Sequence, residues 1–360
     1  MIKTKVIRIE ENCSIEVLRA ALEEPAKALR EGKTVAFPTE TVYGLGANAL
    51  SDESVAKIYK AKGRPSDNPL IVHIGNWEEL NALVEEIPEK GRMLIDALWP
   101  GPLTMIFKKS AKVLEGVTPG LDTVAVRMPA HPIALNLIQM AGVPVAAPSA
   151  NLSGKPSPTI GEHVIEDLSG KVDYIIVSGN AEVGLESTVL DLTGDVPMIL
   201  RPGGATKEEL EAVVGFIELD PALESKSDVH KPKSPGMKYT HYSPKAEVQV
   251  VSGELTKVVE LIKTLSKERS DNGAVVGIMC SDETVSKYDE SADGFKVKIS
   301  LGSRAELKTV GSSLFRVLRE FDEHGVDIIL AEAYPDDGLG KAIMNRLNKA
   351  AGFNIIVIGK

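Results

Sequence analysis

The sequence predicts two α/β domains, a first one on a twisted mixed sheet and a smaller C-terminal one that is parallel and Rossmann-like. Three observations carry that expectation. Apolar runs of strand length alternate with helical patterns as far as residue 215. Residues 220–245 then hold four prolines and almost no aliphatic periodicity, which reads as an extended linker. Beyond it regular strand–helix alternation resumes, the pattern of a parallel sheet. The expected divisions are 1–215, a linker at 216–245, and 246–360.

In the first domain the strand candidates are residues 33–38, 69–74, 103–108, 123–128, 143–147, 173–178, 187–192 and 196–201. Ser51 is placed to cap a helix carrying Val55, Ile58 and Tyr59, and Asn76 with Glu79 reads as a capping box ahead of Leu80, Leu83 and Val84. The mixed order of elements argues for strands of both directions rather than a strictly doubly wound sheet. In the second domain, strands at 247–252, 274–280, 295–299, 326–331 and 354–358 are separated by helices near 254–268, 303–323 and 339–350.

Composition narrows the class. The 360 residues, 43% hydrophobic and 26% charged, are those of an ordinary globular protein long enough for two cores. Cys13 and Cys280 lie far apart, so neither a disulfide framework nor a zinc site is expected. The N-terminus lacks the apolar stretch of a signal peptide, and no run approaches the ~20 apolar residues of a membrane span, so a cytoplasmic setting is expected. A net charge of -10 argues against indiscriminate nucleic-acid binding and leaves room only for weak RNA binding at a local basic patch.

Several strand ends carry chemistry. TVAFPTETVYGLGANAL (34–50) begins as an apolar strand and breaks into a turn holding Thr39, Thr41 and Tyr43. That mixture suits one wall of a small-molecule pocket. Gly44-x-Gly46-x-x-Ala49 matches a dinucleotide fingerprint only as letters, because five residues separate Pro38 from Gly44 and helical patterning starts after Ser51. No P-loop motif occurs. In YKAKGRPSDNPL (59–70), Lys62, Gly63 and Arg64 beside Asn68 suit a polyphosphate, with Arg as a bidentate fork and Lys as a point charge. The competing explanation is cations favoured at a helix C-terminus.

His73 closes the strand VHIG; a lone histidine there is more often structural than catalytic. In TVAVRMP, a period of two puts Thr123, Ala125 and Arg127 on one face. Arg127 in an apolar strand needs an anionic partner, either Glu40 or a substrate carboxylate. VPVAAPSANLSG (143–154) repeats the opening theme, with Ser149 and Asn151 two apart and pointing the same way. Ser187 and Arg201 sit at further strand ends, where pockets of α/β sheets gather. In the linker, KYTHYSP brings two tyrosines and a histidine where a plain tether needs none.

Taken together, Lys62-Gly63-Arg64, Ser149-Ala150-Asn151, PTETVYGLG, WPGPLT (99–104) and AVRMP (125–129) resemble the YrdC-like family. With the linker SPGMKYTHYSP and a further α/β domain, the chain is similar to the two-domain L-threonylcarbamoyladenylate synthases. The likeness covers about residues 15–215 and extends through the linker and the C-terminal domain. It implies a reaction that joins L-threonine, bicarbonate and ATP into threonylcarbamoyl-AMP with release of pyrophosphate, for N6-threonylcarbamoyladenosine in tRNA. It further implies Arg64, Asn68, Thr123, Ser149, Asn151, Ser157, Arg201 and the linker's Tyr242 at ATP, and Thr41, His73, Arg127, Ala147 and Ser187 at threonine. Lys62 and Arg64 would stabilise charge during the reaction, and Mg2+ would be held through ATP oxygens. Downstream, a tRNA threonylcarbamoyltransferase machinery would take the product. Two alternatives are an RNA-binding module and carbamoyl transfer of the hydrogenase-maturation type; the latter proteins carry zinc-finger segments that two distant cysteines cannot build.

Overall fold

The structure, a computed structural model, describes residues 2–224 and 243–359. They form two compact units, mainly on either side of the segment between. The first holds an 11-stranded sheet. Its strands are β1 (Lys5–Arg8), β2 (Val35–Phe37), β3 (Gly44–Asn48), β4 (Ile71–His73), β5 (Leu103–Lys108), β6 (Thr123–Arg127), β7 (Val145–Ala146), β8 (Tyr174–Val177), β9 (Thr188–Asp191), β10 (Met198–Arg201) and β11 (Glu218–Leu219). They lie in the order β1-β8-β2-β3-β7-β4-β6-β5-β9-β10-β11. β4 runs parallel to β6, while β5 is antiparallel to β6 and parallel to β9, so the sheet is mixed as expected.

All the expected strands are present, most of them trimmed at their ends. Three others were not expected. β1 has a largely exposed pattern, and its pairing with β8 carries it into the sheet. β3 contains the glycines read as the tail of a turn; it pairs antiparallel with β2, Phe37 opposite Gly44 and Val35 opposite Gly46. A Cβ on Gly46 would come within 2.7 Å of the Phe37 and Val145 side chains, so a bare backbone is what lets these strands close up. β11 lies inside the stretch read above as linker: Glu218 and Leu219 pair with β10 at the sheet's edge, and Ile217 is fully buried.

The helices follow their sequence signals. Asp52–Lys62 starts where the Ser51 side chain accepts from the Ser54 N–H and stops at Gly63, which takes a left-handed φ of 62°. The Asn76 expectation holds only in part: Asn76 caps through the Glu78 N–H, and one turn of 3-10 helix leads into the single helical turn Leu80–Leu83. Two apolar layers cover the sheet. One packs helices Ile15–Arg30 and Pro132–Ala141 through Leu22, Leu29, Leu137 and Ile138; the other includes Ile58, Leu94, Phe107 and Val164.

The second unit is a five-stranded sheet of β12 (Glu247–Ser252), β13 (Val276–Cys280), β14 (Val297–Ser300), β15 (Ile328–Glu332) and β16 (Ile355–Val357), in the order β14-β13-β15-β12-β16. Every pairing in it is parallel, and helices Leu255–Asp271, Leu307–His324 and Gly338–Ala350 connect the strands. No helix among the described residues is long and apolar enough to cross a membrane.

Candidate active site

Register assembles the site. His73 of β4 lies opposite Arg127 of β6, Arg127 opposite Thr104 of β5, Thr104 opposite Val189 of β9, and Val189 opposite Arg201 of β10. Directly paired residues share a face, so one row across five strands carries an imidazole, two guanidiniums and a hydroxyl. Two residues further along each strand, Ile71, Ala125 and Ile106 form an apolar floor with Val189 and Leu200. Thr123 stands beyond the floor, four residues or roughly 13 Å from Arg127 along β6. The face thus has two poles with a greasy strip between them.

At one pole, Arg127 is 4% exposed and makes one hydrogen bond from each guanidinium nitrogen. It donates to Glu40 Oε1 at 2.6 Å, to Thr41 Oγ1 at 2.7 Å and, through Nε, to the Gly101 carbonyl at 3.3 Å. WPGPLT sets that carbonyl: Gly101 N–H donates to Met128 O at 2.8 Å and Trp99 Nε1 to Leu103 O at 2.7 Å. The hydroxyl-rich turn sets Glu40 and Thr41. Thr39 Oγ1 donates to Val42 O at 2.6 Å and accepts the Thr41 and Val42 N–H groups at 3.2 Å. Of the two partners open to Arg127, Glu40 is therefore in place within the chain.

Burial works against the charged form of Glu40, but the Arg127 guanidinium outweighs it and holds the carboxyl below its usual range. The nearby backbone N–H groups of Glu40 and Ala130 lower it further, while Oε2 has no hydrogen-bond partner among the described residues. His73 is pushed down to about 3 by burial and then by the Arg127 charge, so its imidazole is neutral at physiological pH. Its Nδ1 lies 3.2 Å from Ile71 O.

A second group gathers on Ser187. Its hydroxyl is 2.7 Å from Thr104 Oγ1, and Arg201 donates to its carbonyl through Nε at 3.1 Å and Nη2 at 2.9 Å. Nearby in sequence, Glu186 accepts from Ser157 Oγ at 2.6 Å. Neither Thr104 nor Glu186 was singled out from sequence. Thr104 lay inside a motif read only as a family marker, and Glu186 is an unremarkable letter beside Ser187.

The third group joins the two short motifs. Lys62, only 3% exposed, donates to the carbonyls of Ser149 and Asn151 and to Asn151 Oδ1, the last two at 2.6 and 3.2 Å, and Ser149 Oγ donates to Asn151 Oδ1 at 2.5 Å. These donors tie the end of the helix Asp52–Lys62 to the Ser-Ala-Asn loop. Two other lysines of this helix turn elsewhere: Lys57 donates to Gly32 O at 3.0 Å and pairs with Glu53, while Lys60 is exposed.

Arg64 is half-buried beyond Gly63 and donates to Pro69 O at 3.0 Å. Asn68 is 2% exposed, and its Oδ1 has no hydrogen-bond partner among the described residues. In register, Ile71 faces Ala125, which brings the start of β4 alongside Thr123. Ala147 anchors β7 to β4, donating to Ile71 O at 2.9 Å. The face therefore brings together Thr41, His73, Arg127, Ser187 and Arg201 by contact or register, with Arg64, Asn68 and Thr123 toward the other pole. Tyr242, with Tyr239 and His241, lies outside the described residues.

Residues 27–203 match the family described as "Telomere recombination" (Sua5_yciO_yrdC), and residues 205–352 match "Threonylcarbamoyl-AMP synthase, C-terminal domain". Over 355 residues the chain is 50% identical to the threonylcarbamoyl-AMP synthase of Pyrococcus abyssi, covering 99% of this chain and 100% of that protein. The chain belongs to the threonylcarbamoyl-AMP synthase family. The Bacillus subtilis member of this family is 51% identical over 336 residues, 93% of this chain and 94% of that one. Among solved structures, P. abyssi Sua5 complexed with L-threonine superposes with a TM-score of 0.92 at 49% identity, covering 99% of this chain and 100% of that one.

Proposed function

We propose that the chain makes threonylcarbamoyl-AMP and pyrophosphate from L-threonine, bicarbonate and ATP, for N6-threonylcarbamoyladenosine in tRNA. The observation that carries this reading is the two-pole face: a buried Arg127 for a small carboxylate, an apolar strip, and a second polar end at Arg64, Asn68 and Thr123. A solved relative complexed with L-threonine supports that amino acid as a substrate.

In this reading Arg127 receives the threonine carboxylate, and Thr41, His73, Ala147 and Ser187 shape the pocket around the rest of the molecule. Arg64, Asn68, Thr123, Ser149, Asn151, Ser157 and Arg201 receive ATP, with Lys62 fixing the loop that presents Ser149 and Asn151. Once the amine is carboxylated, a carbamate oxygen attacks the α-phosphorus and pyrophosphate leaves, so no protein nucleophile is required. What the chain supplies is alignment of the two reactants and preorganised positive charge at the phosphates. The cations and hydroxyls of the site suit phosphate oxygens, and magnesium would enter on those oxygens and neutralise their charge.

The remaining assignments rest on sequence and on this chemistry. We place the work in the cytoplasm, hand the product to a tRNA threonylcarbamoyltransferase machinery, and assign the linker, with Tyr242, to the cover over the nucleotide. Weak RNA binding is the lesser expectation, because the cations near Lys62 do not form one surface. Purified protein should release pyrophosphate from ATP only when threonine and bicarbonate are both present, with the product identified by mass. Release that ignores threonine would overturn the assignment.

A further inference from the structure

Glu40 carries an oxygen that the fold leaves unmatched. Oε1 takes the Arg127 guanidinium at 2.6 Å, while Oε2 is buried and accepts no hydrogen bond among the described residues. An unmatched buried acceptor is destabilising, and a water, an ion or a ligand that donates to it relieves that cost; beside a buried guanidinium the fitting donor is a ligand cation. We propose that the Glu40–Arg127 pair is a receptor for an amino-acid zwitterion, with Arg127 taking the α-carboxylate and Glu40 Oε2 the α-ammonium.

This deepens the threonine reading above and rests on it. The two charges of an α-amino acid are separated by a single carbon, and the pair offers their complements side by side. A carboxylic acid without the amine would meet Arg127 while placing its negative charge beside an uncompensated Glu40, which is costly in a site this buried. The surroundings fit. His73, the strand neighbour of Arg127, is neutral and adds no positive charge to repel an ammonium. Thr41 and the Gly101 carbonyl hold the arginine from its other sides, so it stays aimed when a substrate arrives. The depressed carboxyl of Glu40 keeps it charged over the working pH range and makes it a weak base, so its part is to place the nitrogen rather than to take its proton.

Calorimetry with two ligands tests this on the full chain. L-threonine carries carboxylate, hydroxyl and ammonium; 3-hydroxybutyrate keeps the first two and lacks the third. The parent should bind threonine at least about tenfold more tightly than 3-hydroxybutyrate, the scale of one charge-assisted hydrogen bond. Glu40→Gln should lose about tenfold or more for threonine and close the gap to the analogue. Equal binding of both ligands by the parent overturns the proposal without any variant having to fold. Equal weakening of both by Glu40→Gln overturns it too, since Glu40 would then only hold Arg127. A parent that binds neither ligand overturns the threonine reading itself, and the proposal falls with it.

Discussion

Both units of this protein bury a carboxylate against an arginine at the end of a strand, yet only one of these pairs looks like a site. In the C-terminal unit Glu332 is fully buried and both its oxygens are occupied: Tyr288 OH donates to Oε1 at 2.8 Å, and Ser281 Oγ and Arg304 Nη1 reach Oε2 at 3.1 and 3.3 Å. Arg304 also donates to Ala333 O at 2.6 Å and lies 4.7 Å from the Tyr334 ring centroid. In the first unit Glu40 has one oxygen paired and the other unmatched. A buried ion pair by itself says little about function, because a closed network and a receptor share it. The unfinished hydrogen bonding is what separates them.

The sharpest way to break this comparison is Arg127→Gln. It leaves Glu40 charged and uncompensated, so unfolding free energy should fall by about 3–5 kcal/mol. Adding Glu40→Gln should restore much of that loss without restoring threonine-dependent pyrophosphate release. A single variant that melts like the parent would show that the pair does not hold the fold.

Next in size is Arg64→Ala, which removes one preorganised charge at the nucleotide pole and should cost about 2–4 kcal/mol of transition-state stabilisation. The loss should appear in kcat/KM for ATP far more than in the threonine requirement. An unchanged ATP dependence in a folded variant would remove Arg64 from the site.

Glu332→Gln probes the closed network. Its loss should be about 1–3 kcal/mol in stability, from acceptors that no longer match the Tyr288, Ser281 and Arg304 donors. The threonine requirement of the folded variant should equal the parent's. A raised requirement would mean that the two pairs are not as different as their hydrogen bonding says.

The smallest effect concerns pH. His73 has an ordinary value of 6.5 and is pushed down to about 3 in the fold, so between those limits the unfolded chain binds a proton that the folded chain refuses. Stability therefore rises with pH in that window and is lost as pH falls below 6.5, by at most about 1.4 kcal/mol per unit. His73→Asn should flatten the fall between pH 6.5 and 4.5. His131 is depressed in the same direction, mainly by burial, so the difference between variant and parent, not the slope alone, reports His73. Parallel pH profiles for the two proteins would mean that His73 is not buried neutral.

The elements of both sheets were legible because strand runs and caps are local signals. Ser51 and Gly63 bound their helix through contacts a few residues away. The strands that escaped notice depend on distant partners. β3 is rich in glycine and becomes a strand because β2 and β7 accept it on either side. Ile217 looked like linker until the core enclosed it.

Sequence by itself determined which residue types are present for chemistry: the Lys-Gly-Arg and Ser-Ala-Asn motifs, Arg127 in an apolar strand, and the hydroxyls after Phe37. Those readings need only spacing, period and composition. Only the tertiary structure decided what each group is bonded to. It turned Lys62 inward to the loop that holds Ser149 and Asn151, brought Thr104 to Ser187 from 83 positions away, and paired Arg127 with Glu40 across 87. The reason is physical. Hydrogen bonds and buried charges are settled by partners within a few ångströms, and in a mixed sheet the partner on the next strand is set by the order of the strands, which no local pattern specifies.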